Sequence, residues 1–569
     1  MFRRLFRKRG TGGEVDPEEI FLDSKNLPQF DTDQFEGQIE KPITPRTILL
    51  VGAICTLILC SFAYRAWALQ ITDGERYAKR SENNHLRHST IFADRGNIYD
   101  RNEVALAWNE INPESTDHSL RKYISKPGFA HVLGYVRYPL KDSAGNYYQE
   151  TLDPKDGVER LYNKLLSGKD GVKIVEINAL GKKESEGVLD RPQSGKNLVL
   201  SIDADLQTEM HAAIKRMAAQ AGFQGGAGGL IDLKTGEMLV LTSYPEYDPN
   251  IMTDASDSKT IQSYVKSTRN PFVDRFVDGV YTPGSTVKPF LAIGALQEKI
   301  IDANKKILST GSISVPNPYD PTKKSVFVDW RPQGWVDMRK AIAVSSNVYF
   351  YEIGGGFEDQ KGLGITRVEK YLRLFGFGEK LSSEFFAGKP GVIPNPAWKA
   401  ENFKDGTWRL GDTYHTSIGQ YGVQVTPIQL LIAVSTIANS GVVPVPVLLK
   451  GENEGKSFEK LPIDSDKYFT VVQEGMRMGV VEGTASVLNV PGLNMAGKTG
   501  TAELGADRKL VNSWVMGFFP YQKPRYAFVV LMERGSRDNK VGAVHAALDF
   551  FKTVYPNHTD MFTAEAPTE

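Results

Sequence analysis

Five Ser-x-x-Lys tetrads occur in the chain, starting at Ser119, Ser256, Ser263, Ser285 and Ser457. On a helix, a serine and a lysine three residues apart share one face. An uncharged lysine there can take the serine proton and leave a nucleophile. Only Ser285 has a setting suited to that chemistry. Pro283-Gly284 before it permits a sharp turn, and Phe290-Leu-Ala-Ile-Gly-Ala-Leu296 after it reads as a buried helix. A serine at a helix N-terminus gains from the dipole when an oxyanion develops beside it. Lys288, pinned against apolar residues, loses hydration, so its pKa is expected to fall toward that of a working base. The other four tetrads read as surface serines beside solvated lysines.

Ser-x-Asn occurs at Ser24, Ser81 and Ser345. Ser345-Ser346-Asn347 separates Ala341-Ile-Ala-Val344 from Val348-Tyr-Phe-Tyr-Glu352, a helix-to-helix junction that can aim a hydroxyl and a carboxamide into a cleft. Alone it reads more simply as a polar break between buried helices. Lys-Thr-Gly occurs twice. Lys234-Thr235-Gly236 is the turn between two apolar strands, whereas Lys498-Thr499-Gly500-Thr501 can lie extended beside a cleft, where lysine and threonine would hold a carboxylate. The stretch from Gly492 to Thr499 also fits the spacing of a phosphate-binding loop. Its context argues against that: Pro491 replaces a buried strand and Gly500 breaks any following helix. His85 and His88 read as surface histidines, and no G-x-S-x-G elbow is present. Trp330 and Trp335 read most simply as core, with a groove lining as the alternative.

The elements that must carry these groups follow from a long, balanced chain. At 569 residues it calls for several domains. Lysine plus arginine equals aspartate plus glutamate, 68 each, so no global basic field argues for nucleic acid. The two cysteines, Cys55 and Cys60, both lie in one apolar run, which excludes a disulfide scaffold and a cysteine-rich zinc site. That run, Thr47 to Tyr64, carries no charge and spans about 27 Å as a helix, enough for a hydrocarbon core. Ala66-Trp67-Ala68 has the form of a signal cleavage site, but the run lies too far along the chain for a signal peptide. An uncleaved anchor is expected. Local charge does not orient it: Lys41 and Arg46 precede it, while Arg65, Arg76, Lys79 and Arg80 follow. Only the distant Arg3, Arg4, Arg7, Lys8 and Arg9 favour a cytoplasmic amino terminus.

Beyond the anchor, residues 70 to about 195 hold short strand-like and helical pieces. Asn197-Leu-Val-Leu-Ser-Ile202 reads as a strand, and Ala204 to Ala221 as a helix. Two apolar strands, a helical block and returning strands near Met495, Trp514 and Tyr526 then make one mixed α/β domain to about 555. The end, from Pro556, reads as a short tail.

In order and context, Ser285-Thr-Val-Lys288, Ser345-Ser-Asn347 and Lys498-Thr-Gly500 resemble the three active-site motifs of penicillin-binding proteins and serine β-lactamases. Tyr281 to Phe290, Ser243-Tyr-Pro-Glu-Tyr-Asp-Pro-Asn250, Thr426-Pro-Ile-Gln429 and Arg95-Gly-Asn-Ile-Tyr-Asp-Arg-Asn102 resemble class B penicillin-binding proteins specifically. So do Gly157-Val-Glu-Arg-Leu-Tyr162 and Glu176-Ile-Asn-Ala-Leu-Gly181. Gly411-Asp-Thr413 with Ser417-Ile-Gly-Gln420 is more similar to the elongation (rod-shape) type than to the division type.

The resemblance implies an α+β protein in five parts: a cytoplasmic tail (1–45), a transmembrane anchor (46–69), a pedestal like an abbreviated dimerisation domain (70–195), a transpeptidase domain (196–555) with a helix-flanked sheet and an all-helical subdomain, and a C-terminal tail (556–569). It implies that Ser285 attacks the penultimate D-Ala carbonyl of a peptidoglycan stem peptide, with Lys288 as base and Ser345 relaying the proton to the leaving amine. Asn347 would hold the substrate amide, and Lys498, Thr499 and Thr501 its carboxylate. The N–H groups of Ser285 and Thr501 would form the oxyanion hole, with Gly500 in the same binding strand. No cofactor or metal is implied. The implied partners are stem peptides, β-lactams and a membrane glycosyltransferase of the SEDS family, with the catalytic domain outside the inner membrane. The chain departs from the family in a short head region between Asn109 and Ala130, in Leu381-Ser-Ser-Glu-Phe-Phe386, and in Glu503, where glutamine is commoner. A membrane-anchored β-lactam sensor and a β-lactamase are the alternative functions.

Overall fold

A computed structural model describes residues 44–113, 115–142, 147–149, 151–177, 183–317 and 320–563. The expected tail to residue 43, residues 178–181 of the Glu176–Gly181 stretch and the last six residues lie outside the described residues.

The chain forms two units. In the first, helix α1 (Pro45–Trp67) starts where Thr44 caps the backbone N–H of Thr47 and Pro45 fills the first turn. It runs on into a π-helical turn, Ala68–Thr72. None of its residues is buried against protein. It is the one helix among the described residues long and apolar enough to cross a membrane.

The second unit holds everything that positions the site. Its N-terminal part contains a four-stranded sheet built from Leu120–Tyr123, Ala105–Glu110, Ile98–Tyr99 and Leu198–Val199. The strand expected over Asn197–Ile202 is therefore only two residues long. Beside this sheet the fully buried Glu159 accepts hydrogen bonds from Arg95 Nε (2.8 Å), Arg121 Nε (2.7 Å) and Tyr123 OH (3.2 Å). Burial raises its pKa, and the two guanidiniums outweigh burial and hold it below the ordinary value. That cluster explains why Arg95 and the Gly157–Tyr162 segment belong together.

The larger part is a five-stranded antiparallel sheet of β1 (Gly225–Asp232), β2 (Met238–Tyr244), β3 (Ala496–Leu504), β4 (Leu510–Phe519) and β5 (Tyr526–Ser536), in the order β2-β1-β5-β4-β3. Alternation along β5 feeds two cores. Ala527, Val529 and Leu531 join one, Phe528, Val530 and Met532 the other. On the second face lie α2 (Ala204–Ala221) and the C-terminal helix Ala543–Val554. The first face meets a helical block. Its members are α3 (Lys288–Gln297), α4 (Met338–Ala343), α5 (Asn347–Gly355), α6 (Pro427–Ala438, buried throughout) and α7 (Asp466–Val481).

Two expectations are corrected. Trp330 and Trp335 are 53% and 63% exposed: Trp335 sits on a small two-stranded arm, Gly334–Val336 paired with Ile307–Ser309, and Trp330 in the bend that precedes it. The tail expected from Pro556 packs in part: Met561 and Phe562 are buried, with Phe562 stacked on Phe519.

Candidate active site

Ser285 lies in a single 3-10 turn, Gly284–Val287, that feeds α3. The approach is pinned on both sides. Tyr281 exchanges backbone hydrogen bonds with Val425 (2.9 Å each), and Gly284 N–H donates to Gly419 O (3.0 Å). Gly284 adopts φ +57°, and a Cβ there would meet Thr501 O at 2.6 Å. Only glycine lets β3 lie this close to the serine turn. Ser285 itself is part-exposed and lines a groove of about 1180 Å³.

Lys288, one helical turn on, is fully buried. Its Nζ donates to Ser345 O (2.8 Å) and Asn347 Oδ1 (2.7 Å) and lies 3.4 Å from Ser345 Oγ. Among the described residues, its hydrogen bonds run to this junction and none to the hydroxyl of Ser285. Burial lowers its pKa to about 7, against a small opposing pull from Asp329. An uncharged amine has two N–H groups and one lone pair. Two carbonyl-type acceptors use the former, and the latter is left for an incoming hydroxyl proton.

The junction itself is strained. Ser345 stands at φ +57° between α4 and α5, a conformation non-glycine residues rarely adopt. Asp329 over-determines it. Its carboxylate accepts from Ser346 Oγ (2.7 Å), Ser309 Oγ (3.1 Å), Val348 N (3.1 Å) and Trp330 N (2.9 Å). Sequence reasoning missed Asp329, since a lone aspartate after an alternating strand carries no motif. It also missed Thr484, whose hydroxyl is 2.7 Å from that of Thr499.

Lys498 sits on β3, the edge of the sheet, so the phosphate-loop reading fails for want of a helix at the lysine. Its Nζ donates to Ser345 Oγ (2.9 Å) and Thr499 O (2.7 Å). Burial, and then the charge of Lys288, hold its pKa well below the ordinary lysine value. Ser285, Ser345, Asn347, Thr499, Gly500 and Thr501 all line the one groove. Trp330 lines it too. Lys234-Thr235-Gly236 is a turn closed on Asp232.

The match to known proteins agrees with this geometry. Residues 226–555 match the penicillin-binding protein transpeptidase domain, and residues 112–200 the penicillin-binding protein dimerisation domain. The peptidoglycan D,D-transpeptidase MrdA of Acinetobacter baumannii is 30% identical, covering 85% of this chain and 83% of its own. The structure of Pseudomonas aeruginosa PBP2 in complex with WCK 5153 superposes with a TM-score of 0.68 at 28% identity, covering 85% of this chain and all of that one. A peptidoglycan synthase complex, described as coordinating polymerization and crosslinking, contains a chain with a TM-score of 0.68 at 27% identity, covering 92% of this chain and 99% of its own. The chain belongs to the penicillin-binding protein transpeptidase family, as a class B member of the elongation type. It is an enzyme, a serine-type peptidoglycan D,D-transpeptidase.

Proposed function

We propose that Ser285 is the acylated nucleophile and that the two lysines divide the proton work around it. Ser285 Oγ attacks the carbonyl of the penultimate D-Ala, and its proton passes to the lone pair of Lys288 Nζ. The oxyanion forms between the backbone N–H groups of Ser285 and Thr501. Collapse breaks the peptide bond. Ser345 Oγ, bonded to Lys498 and near Lys288, hands a proton to the departing D-Ala amine and is reprotonated by a lysine. The acyl-enzyme then loses its peptide to the amine of a neighbouring stem, which gives the crosslink and restores the serine. Asn347 holds the substrate amide. Thr499, Thr501 and Lys498 hold the terminal carboxylate, whose charge draws a proton back onto Lys498.

The supporting observation is the setting of Lys288. It is fully buried, and its Nζ has carbonyl-type acceptors at 2.7 and 2.8 Å and the Ser345 hydroxyl at 3.4 Å. A neutral amine there satisfies two oxygens with its N–H groups and turns its lone pair to a hydroxyl proton. The domain limits of the sequence analysis are carried over as part of this reading. So is the topology, with the catalytic unit outside the membrane, where peptidoglycan lies. A SEDS-type glycosyltransferase supplies the glycan strands, a reading supported by the likeness to a chain of a polymerizing and crosslinking complex. The test is D-Ala release and dimer formation from a synthetic pentapeptide, with the penicillin-labelled protein followed in parallel. Crosslinked dimer, with label lost only over many minutes, supports the transpeptidase. Rapid loss of label without dimer would make it a β-lactamase.

A further inference from the structure

Glu503 follows Thr501 by two residues on β3, and side chains two apart on a strand point the same way. Thr499, Thr501 and Glu503 all line the groove that holds Ser285. Since β3 is the sheet edge, its free side can take an extended peptide as an added strand. Glu503 faces that groove in company. Arg537 Nη2 is 3.1 Å from its Oε1 and Arg508 Nη1 is 3.6 Å from its Oε2. Both arginines line the groove as well. They are 58% and 67% exposed, and the glutamate 31%, so all three present unused hydrogen-bonding capacity to the groove. Ion pairs this exposed add little to stability.

We propose that Glu503, Arg508 and Arg537 form the subsite for the third residue of the donor stem peptide. We further propose that this residue is a diamino dicarboxylic acid, whose side chain ends in an ammonium and a carboxylate. The inference rests on the reading above, with the terminal carboxylate at Thr499 and the scissile carbonyl at Thr501. A strand rise of about 3.3 Å per residue puts Glu503 about 7 Å past Thr501, alongside the residue that precedes D-Ala. Glu503 then receives the ammonium, and the guanidiniums receive the carboxylate through paired N–H donors. A lysine side chain supplies only the first of these, and its ammonium competes with both arginines for Glu503 without bringing them an anion of its own.

The test compares D-Ala release by the full-length protein from three pentapeptides. Their third residues are meso-diaminopimelate, its ε-carboxamide and L-lysine. The free acid is expected to exceed the other two in kcat/KM by about tenfold or more. In the Arg508→Gln, Arg537→Gln double variant, acid and carboxamide should come within about threefold of each other. Equal rates on all three peptides in the wild type, or an undiminished preference in the double variant, would overturn the subsite. Acylation by penicillin, which has no third-residue side chain, separates the two layers. Wild-type protein that is acylated at Ser285 yet indifferent to the peptides fails only this inference. Protein not acylated at Ser285 fails the reading beneath it.

Discussion

The Nζ of Lys498 lies 2.9 Å from the Oγ of Ser345, the same hydroxyl that stands 3.4 Å from the Nζ of Lys288. Two ammonium groups cannot meet over one buried hydroxyl at full charge without severe repulsion. Burial displaces both pKa values downward, and the charge of Lys288 adds to the shift of Lys498. In the proposed reaction Lys288 serves as the base and Lys498 as a proton-accepting amine, which a substrate carboxylate converts into its counter-ion.

A pH profile follows. Lys288, with a pKa of about 7, is charged and lacks a lone pair below that value, and becomes a base above it. The rate of acylation by penicillin should therefore rise from about pH 6 to about pH 8 through one deprotonation. A guanidinium stays charged at every such pH, so Lys288→Arg should lower the rate by about a thousandfold or more. Stopped-flow labelling checks both, and a flat profile would remove Lys288 as base.

Removal of the Asp329 carboxylate leaves two hydroxyls and two backbone N–H groups without their acceptor. Asp329→Ala should cost about 2–4 kcal/mol of stability. It should also slow acylation, because Ser346 and Val348, which flank the φ +57° residue Ser345 on its C-terminal side, lose their anchor. Denaturant melts and labelling rates on one preparation measure the two effects. Unchanged acylation would mean the junction holds its shape unaided.

The Gly284→Ala variant tests the contact between the serine turn and β3. The added methyl would sit 2.6 Å from Thr501 O in a left-handed backbone, so the strand or the turn must shift. A displacement of about 1 Å at reacting groups is expected to lower acylation about a hundredfold. Single-turnover labelling at saturating penicillin reads this directly.

The three motifs were legible because each chemical pair lies within a few residues and each neighbouring stretch has a clear period. Ser285 and Lys288 share a turn, Ser345 to Asn347 interrupt two apolar helices, and Lys498 to Thr501 extend along an edge strand. What was hidden depends on tertiary placement. Asp329 reaches the Ser346 hydroxyl only because a two-stranded arm folds back over the helix junction. A bend after that arm leaves Trp330 exposed, and a second small arm leaves Trp335 exposed, although their residue type suggested core. Met561 and Phe562 cover the end of the sheet from a stretch whose polar neighbours read as tail. The direction of the Lys288 hydrogen bonds was likewise out of reach, since the acceptors come from more than fifty residues away.

The central claim is that one serine carries the acyl group. Intact-mass measurement after penicillin treatment, followed by peptide mapping, tests it most directly. One adduct per chain, located on Ser285 and missing from a folded Ser285→Ala variant, is the predicted result. An adduct on any other residue, or one that persists in that variant, would contradict it.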